Sequence, residues 1–147
     1  MAFKRILCAV DFSETSLAAF REAIELARLF EGHLYVLHVI EARPVASKLI
    51  GADEVGEMAV ELEEKATAAM DSLAAAASAS LKDVPLTLQV TAGRAFAEIL
   101  NYAQELSADL IVMGVKGANA IEQIVVGRTA ELVIKDARCS TLLIRPA

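Results

Sequence analysis

The chain has 147 residues, of which 56% are hydrophobic and 23% charged, and its formal net charge is -6. This length suits a single domain, residues 1–147, that buries its own core without a disulfide framework. No apolar run approaches the roughly 18 residues that span a bilayer, and the chain is too hydrophobic for disorder, so the composition excludes an integral membrane protein and a disordered one.

The first forty residues predict two strands with a helix between them. Residues 6–10 (ILCAV) form a short apolar run typical of a buried strand. In residues 17–27 the apolar positions recur at three- and four-residue spacing, which predicts an amphipathic helix. Ser13 is the predicted N-cap of this helix and Gly32 its predicted stop. The β-branched and aromatic residues of His33–Ile40 predict the second strand.

The middle of the chain carries the net charge. Residues 41–52 contain Pro44 and Gly51 without a clear period and predict a loop, and residues 53–81 keep helical spacing and predict the longest helix. Residues 51–75 hold seven acids and one base, so their balance of -6 equals the net charge of the chain. The rest is neutral. The acidic pI of about 4.9 therefore disfavours nucleic acid but does not argue against a phosphate ligand.

The second half of the chain continues the alternation of strands and helices. The predicted elements are a strand at 84–91, a helix at 96–106, a strand at 109–113, a helix at 130–137 and a last strand at Ser140–Ile144. Alternating apolar strands and helices predict an α/β fold, an open five-stranded parallel sheet with helices on both faces. In such a Rossmann-like sheet, ligands bind beyond the carboxyl ends of the strands.

The richest candidate site follows the fourth predicted strand. Gly114 and Gly117 are followed, after nine further residues, by Gly127 and a helix. Glycines permit positive φ and close backbone approach, and free N–H groups at a helix N-terminus favour a phosphate. Lys116 and Arg128 add positive charge. In the alternative interpretation, the first two glycines form a tight strand exit and the third begins a helix. Spacing alone leaves both open.

The remaining polar candidates are scattered. Asp11, at the end of the first strand, is placed either to accept hydrogen bonds from an adenine amino group or ribose hydroxyl, or to cap the next helix. His33 and His38 lie five positions apart on a strand and face opposite sides, so they cannot share a metal ion and we interpret them as structural. Cys8 and Cys139 lie in apolar segments and are interpreted as buried small hydrophobes.

Other motifs of chemistry are missing from the sequence. It has neither the G-x-x-x-x-G-K-[ST] nor the G-x-G-x-x-G pattern, no G-x-S-x-G elbow, and no Cys/His/Asp cluster with metal-ligand spacing. These absences argue against a P-loop enzyme, a nicotinamide or flavin enzyme, a hydrolase triad and a structural metal site.

Three blocks of the sequence resemble the universal stress protein family. They are residues 6–16 (ILCAVDFSETS), residues 108–117 (ADLIVMGVKG) and residues 127–144 (GRTAELVIKDARCSTLLI), and the resemblance covers essentially the whole chain. It implies a parallel sheet in the strand order 3-2-1-4-5. It also implies a homodimer in which the last strands of two subunits, Ser140–Ile144, pair with each other.

The resemblance also implies an adenine-nucleotide site. The nucleotide-binding branch of the family holds ATP with a pattern G-x2-G-x9-G-[ST], and the three glycines stand here at those spacings. The ligand implied is ATP or another adenine nucleotide, with or without Mg2+. The site residues implied are Ala9, Val10, Asp11, Val39 and Met113 around the adenine and ribose, and Gly114, Gly117, Gly127, Arg128 and Thr129 around the phosphates.

One position departs from the family pattern. The hydroxyl residue after the third glycine is Arg128 here, with Thr129 one position later. The arginine has three open roles: it reaches a terminal phosphate, it extends into solvent, or it lies across the phosphate site and prevents nucleotide binding.

The leading hypothesis is a cytoplasmic, homodimeric stress-response regulator or sensor that binds adenine nucleotide. No general base for attack on a γ-phosphate is evident, so we expect a binding protein with slow ATP hydrolysis at most. The alternative is an interaction or scaffold protein of the same fold, in which Arg128 fills the pocket and the acidic helix or the last strand carries the partner contact. A true enzyme, such as an adenylating one, would need a Gly-rich loop after Val10 that is missing.

Overall fold

The computed structural model describes residues 2–41, 52–117 and 126–145, with the side chains of 52–55 excepted. The predicted loop at 41–52 therefore lies, apart from its two end residues, outside the described residues. The elements are β1 (Arg5–Ala9), α1 (Glu14–Phe30), β2 (His33–Ile40), α2 (Ala52–Ala76), β3 (Leu86–Ala92), α3 (Ala95–Leu106), β4 (Leu110–Gly114), α4 (Arg128–Asp136) and β5 (Ser140–Ile144).

The strands form one parallel sheet in the order β3-β2-β1-β4-β5, which confirms the predicted order. The central strand is β1, where Cys8 lies opposite Val36 of β2 and Val112 of β4. Because all pairs are parallel, the carboxyl ends of the five strands meet at one edge of the sheet. That edge carries the residues from which the candidate site is built.

Helices cover both faces of the sheet, as predicted. Side chains of β1 alternate between the faces: Ile6 and Cys8 pack with Phe20 of α1 and Met70 of α2, whereas Leu7 packs on the other side. The second face is covered by α3 and α4. Because β1 is covered on both sides, its three central residues are inaccessible to solvent, and this explains its unbroken apolar run.

The first helix begins as predicted and ends differently. The Ser13 hydroxyl accepts a hydrogen bond from the Ser16 N–H at 3.2 Å and caps the helix. At the other end, Glu31 adopts the left-handed conformation that we expected of Gly32, with φ of 51°. Gly32 has a different role, because a Cβ there would lie 2.6 Å from the Phe3 carbonyl oxygen. Its missing side chain lets the N-terminal segment pass close to the helix end.

The long helix ends at Ala76, five residues earlier than predicted. The Ala77 N–H is shared between the carbonyls of Leu73 and Ala74, and Ser78 donates to Ala75, so the backbone tightens into i-to-i+3 turns. Alanine repeats contain no stop signal, which is why periodicity extended the helix too far. Among the described residues, no helix has both the length and the apolar composition needed to cross a membrane.

Smaller shifts affect the ends of the other elements. β3 begins at Leu86 rather than at residue 84, because Pro85 has no N–H and contributes only its carbonyl, which accepts from the Leu34 N–H. β4 extends one residue further, to Gly114, and α4 begins at Arg128 rather than at residue 130. With the last two shifts, Gly114 is the final residue of β4 and Gly127 is the N-cap of α4.

Candidate functional site

A cleft of about 570 Å³ opens at the carboxyl edge of the sheet. Its volume lies within the range of about 300–1,000 Å³ that is typical of small-molecule sites. All ten residues proposed from the sequence line it: Ala9, Val10, Asp11, Val39, Met113, Gly114, Gly117, Gly127, Arg128 and Thr129. The fold thus brings together residues near the start of the chain, residues at the end of β2, and residues on either side of positions 118–125.

The ends of β1 and β2 form one side of the cleft. The Val10 N–H donates to the Leu37 carbonyl at 2.9 Å, which extends the pairing of the two strands by one residue. The Val10 carbonyl in turn accepts from Nδ1 of His38 at 2.8 Å. Because a carbonyl can only accept, the neutral imidazole carries its proton on Nδ1 and leaves Nε2 as an acceptor. His38 therefore fixes the end of β1 and also lines the cleft.

The other histidine lies apart from this site. Nε2 of His33 lies 2.8 Å from the Thr87 hydroxyl, and its ring stacks on Tyr35 with a centroid separation of 4.2 Å. The His38 ring instead packs against Phe12 at 4.8 Å. The two rings have separate partners, so the structural role that we predicted for His33 is supported, whereas His38 combines a structural contact with a place in the cleft wall.

Asp11 organises the turn between β1 and α1. Its Oδ1 accepts hydrogen bonds from the Ser13 N–H, at 3.0 Å, and from the Ser13 hydroxyl, and its own N–H donates to the Ser16 hydroxyl at 3.2 Å. Phe12, within this turn, adopts a positive φ of 64°. The exposed Asp11 side chain also lines the cleft. Of the two roles weighed from the sequence, the helix cap belongs to Ser13 and not to Asp11, which instead holds the turn before the helix. Its place in the cleft lining leaves the ligand-facing role as a proposal.

The three glycines after β4 are explained by close packing rather than by positive φ. Among the described glycines, only Gly93 has a positive φ. A Cβ on Gly114 would lie 2.5 Å from the Thr15 hydroxyl oxygen, and one on Gly117 would lie 2.7 Å from Oδ2 of Asp11. A Cβ on Gly127 would lie 3.0 Å from the Lys116 Cα. Small residues are thus needed at Gly114 and Gly127, where an added Cβ would meet backbone atoms. At Gly117, only the end of the exposed Asp11 side chain would have to shift.

The N-terminus of α4 forms the positively charged side of the cleft. Gly127 is the N-cap, and it has no side chain with which to cap the first turn. Its own N–H donates to the Val115 carbonyl at 2.7 Å. The uncapped N–H groups and the helix dipole favour an anion here. Lys116 is half-buried, Arg128 is exposed, and both line the cleft.

Several lining residues were not predicted from the sequence as site residues. They include Glu41, whose Oε1 accepts a hydrogen bond from the Ala95 N–H at 3.1 Å. Glu41 thereby caps α3, whose N-cap residue Arg94 makes no side-chain cap bond. Its position directly after β2 was the available signal. The other such residues are Ser16, Leu37, His38, Ile40, Ala95, Ile99 and Ala130.

The two thiols lie away from this cleft. Cys8 is completely buried in the central strand β1, beneath α1 and α2, and burial raises the pKa of its thiol. Cys139 is half-buried directly before β5, at the amino-terminal end of that strand. Burial raises the pKa of its thiol, and the negative charge of Asp109 raises this pKa further. Across the described ranges, no three His, Cys, Asp or Glu side chains gather as metal ligands.

Comparison with known proteins gives consistent matches over the whole chain. Residues 2–145 match the model of the Universal stress protein family. The universal stress protein MJ0531 of Methanocaldococcus jannaschii is 31% identical over 144 residues, which are 97% of this chain and 82% of that protein. The solved structure of hypothetical protein MJ0577 has a TM-score of 0.88 at 25% identity, over 100% of this chain and 99% of its own.

A further solved structure, of a universal stress protein in complex with cAMP, has a TM-score of 0.68 at 17% identity. The match covers 99% of this chain and 98% of that one. At this identity the likeness concerns the fold.

Proposed function

Because this chain belongs to the universal stress protein family, we propose that it acts in the stress response as a regulator or sensor that binds an adenine nucleotide in the cleft. One observation carries the proposal. The ten residues selected from the sequence line one cleft of about 570 Å³ at the carboxyl edge of a parallel sheet. The cAMP of the second solved structure belongs to that protein, and the proposal rests on the cleft of this chain.

The charges of the cleft suit the two ends of a nucleotide. The phosphates would lie at the N-terminus of α4, near Lys116 and Arg128, where backbone N–H groups and two cations favour negative charge. The adenosine would lie toward the ends of β1 and β2, with Asp11 able to accept from a hydroxyl or amino group and Val39 and Met113 offering apolar contact. Mg2+ would be held by the phosphates of ATP.

The placement of Arg128 favours a nucleotide-binding protein over a scaffold. The scaffold alternative requires this side chain to fill the pocket. Arg128 is exposed, and the cleft that it helps to line has a volume of about 570 Å³ with this side chain in place. Thr129, which supplies a hydroxyl one position after the family's usual place, is half-buried and lines the same cleft. This arrangement supports binding with Arg128 near a terminal phosphate.

We assign Asp11 to recognition rather than to acid–base catalysis. Its Oδ1 already accepts two hydrogen bonds from Ser13. A general base must lie within reach of the attacking water. Among the described cleft residues, His38 and Glu41 could accept a proton, but they lie at and directly after the end of β2, where we place the adenosine, so we propose no general base at the phosphates. Binding with slow hydrolysis at most is therefore the proposed activity, in the cytoplasm and as a homodimer.

The direct test is isothermal titration of nucleotide-free protein with ATP and Mg2+. We expect saturable heat with one nucleotide per chain and weaker binding of adenosine, which lacks the phosphates. The proposal would be overturned by an absence of heat together with a failure of ATP, up to millimolar concentration, to displace a fluorescent analogue.

A further inference from the structure

The first turn of α1 is joined directly to the last residue of β4 and the three residues after it. We call residues 114–117 the glycine loop. Thr15 is only 5% exposed, and its hydroxyl donates a hydrogen bond to the Lys116 carbonyl, 101 residues away in the sequence. A buried hydroxyl with one long-range partner is typical of a contact that fixes the position of that partner.

Gly114 makes this contact possible. A Cβ at this position would lie 2.5 Å from the Thr15 hydroxyl oxygen and 2.9 Å from the Thr15 carbonyl carbon. With any larger residue, α1 and the glycine loop would have to separate. The missing side chain of Gly114 and the hydroxyl of Thr15 therefore act together, one removing bulk and the other forming the bond.

The same turn also holds the segment directly after β1, at Asp11. The buried Ser16 hydroxyl accepts from the Asp11 N–H, and Ser13 donates twice to the Asp11 carboxylate. One turn of one helix is thus bonded both to Asp11 and to Lys116. Both residues line the cleft.

We infer that Thr15 is a positioning residue, which holds the glycine loop and Lys116 at a fixed distance from Asp11 and from the N-terminus of α4. Thr15 is not among the residues that line the cleft, so it acts through Lys116. The consequence for ligands rests on the function proposed above: Thr15 contributes to the affinity for the phosphates and not to that for the nucleoside.

Replacing the hydroxyl by a methyl group tests this role. In Thr15→Val the side chain keeps its shape, but a methyl cannot approach a carbonyl oxygen as closely as a hydroxyl donor does, so the glycine loop must move away. Thr15→Ser keeps the donor. Thr15→Ala removes the hydroxyl without adding a methyl and carries the test if the valine variant does not fold. Thr87→Val is the matched control, because its hydroxyl bonds to His33 away from the cleft.

The first measurement needs no ligand. Amide hydrogen exchange is followed at Gly127, whose N–H donates to the Val115 carbonyl within the glycine loop. We expect faster exchange at this amide in Thr15→Val and wild-type exchange in Thr15→Ser and Thr87→Val. Unchanged exchange in Thr15→Val, or equally faster exchange throughout β1 and β2, would overturn the positioning role.

The second measurement compares the affinities of the same variants for ATP and adenosine. We expect Thr15→Val to bind ATP about five- to tenfold more weakly, the effect of losing one hydrogen bond, with adenosine affinity unchanged. An equal loss for both ligands would contradict selective action on the phosphates. If the wild-type protein binds neither ligand, the proposed function fails, and the exchange measurement still decides whether Thr15 positions the loop.

Discussion

Arg128 is the residue at which this chain departs from the family pattern, and its position is electrostatically unusual. It is the first residue of α4, where the positive end of the helix dipole disfavours a cation. It is also exposed and at the rim of the cleft, so a bound phosphate would compensate the repulsion. The Arg128 charge is therefore electrostatically most favourable when an anion is bound beside it.

Arg128→Ser is accordingly expected to weaken ATP binding by about two- to fivefold, the modest effect of an exposed charge, and to leave adenosine binding unchanged. Titration calorimetry at low and high salt measures the ATP affinities of the wild-type protein and the variant. The difference between these affinities should become smaller at high salt, because salt screens the arginine charge. Arg138→Ser, the same change beyond the other end of α4, is the control. ATP binding that begins only after the Arg128 change would favour the scaffold alternative.

The two cysteines should differ in reactivity because they differ in burial. Burial raises the pKa of both thiols, so both have less of the reactive thiolate near neutral pH than a free cysteine. We expect iodoacetamide to modify Cys139 slowly and Cys8 only after unfolding in urea, as measured by peptide mass spectrometry. Rapid modification of Cys8 in the folded protein would contradict the packing of β1.

At the level of elements, two glycines differ in the space around them: Gly114 is tightly packed and Gly56 is not. Gly114 lies where β4 meets α1, whereas a Cβ on Gly56, in the exposed part of α2, would meet nothing within 4 Å. The same substitution should therefore have opposite effects at the two positions.

Gly114→Ala is expected to lower the free energy of unfolding by about 1–3 kcal/mol, because the added methyl forces α1 and the glycine loop apart. Gly56→Ala should raise it by about 0.5–1 kcal/mol, because alanine loses less entropy in a helix. Urea denaturation of both variants measures the difference. A neutral Gly114→Ala would show that the contact with Thr15 is not tight.

The elements also show how far the sequence could predict the structure. Strand–helix alternation and the family resemblance were enough for the sheet order, and the strand ends located the cleft, because parallel strands end at the same edge. Residue spacing could not reveal that Gly114 packs on Thr15, since that contact joins distant parts of the chain. His38 was missed as a cleft residue because a histidine within a strand reads as structural.

The excess negative charge of the chain does not come from the described residues that line the cleft. Of the described residues that line the cleft, none belongs to the acidic helix α2. Its Glu61 and Lys65 form an ion pair at 3.2 Å with both side chains mostly exposed, which adds little stability. The balance of -6 belongs to residues 51–75 of the sequence, whereas the charges of the described residues that line the cleft are balanced, with Lys116 and Arg128 against Asp11 and Glu41.

The proposed homodimer concerns the edge of the sheet formed by β5. This strand pairs with β4 and ends the strand order, so its other side presents backbone groups for pairing with a second copy. Leu142 of this strand is 37% exposed. Pairing of the β5 strands of two copies would cover the unpaired backbone groups and the Leu142 side chain.

Light scattering should therefore give a mass about twice the 15.7 kDa of one chain. A charge on the edge strand should oppose pairing, so Leu142→Lys is expected to shift the protein toward monomer. Leu29→Lys, at a position of α1 that is 73% exposed, is the control and should leave the mass unchanged. A monomeric wild-type protein at micromolar concentration would contradict the proposed dimer.

Binding of adenine nucleotide in the cleft at the carboxyl ends of the strands can be followed residue by residue in an NMR titration of the labelled protein with ATP and Mg2+. We expect amide shifts at Asp11, Val39, Gly117 and Thr129, and no shifts at the amino-terminal ends of the strands around Cys139. An absence of shifts at saturating ATP, or shifts confined to the region around Cys139, would show that the nucleotide does not bind in this cleft.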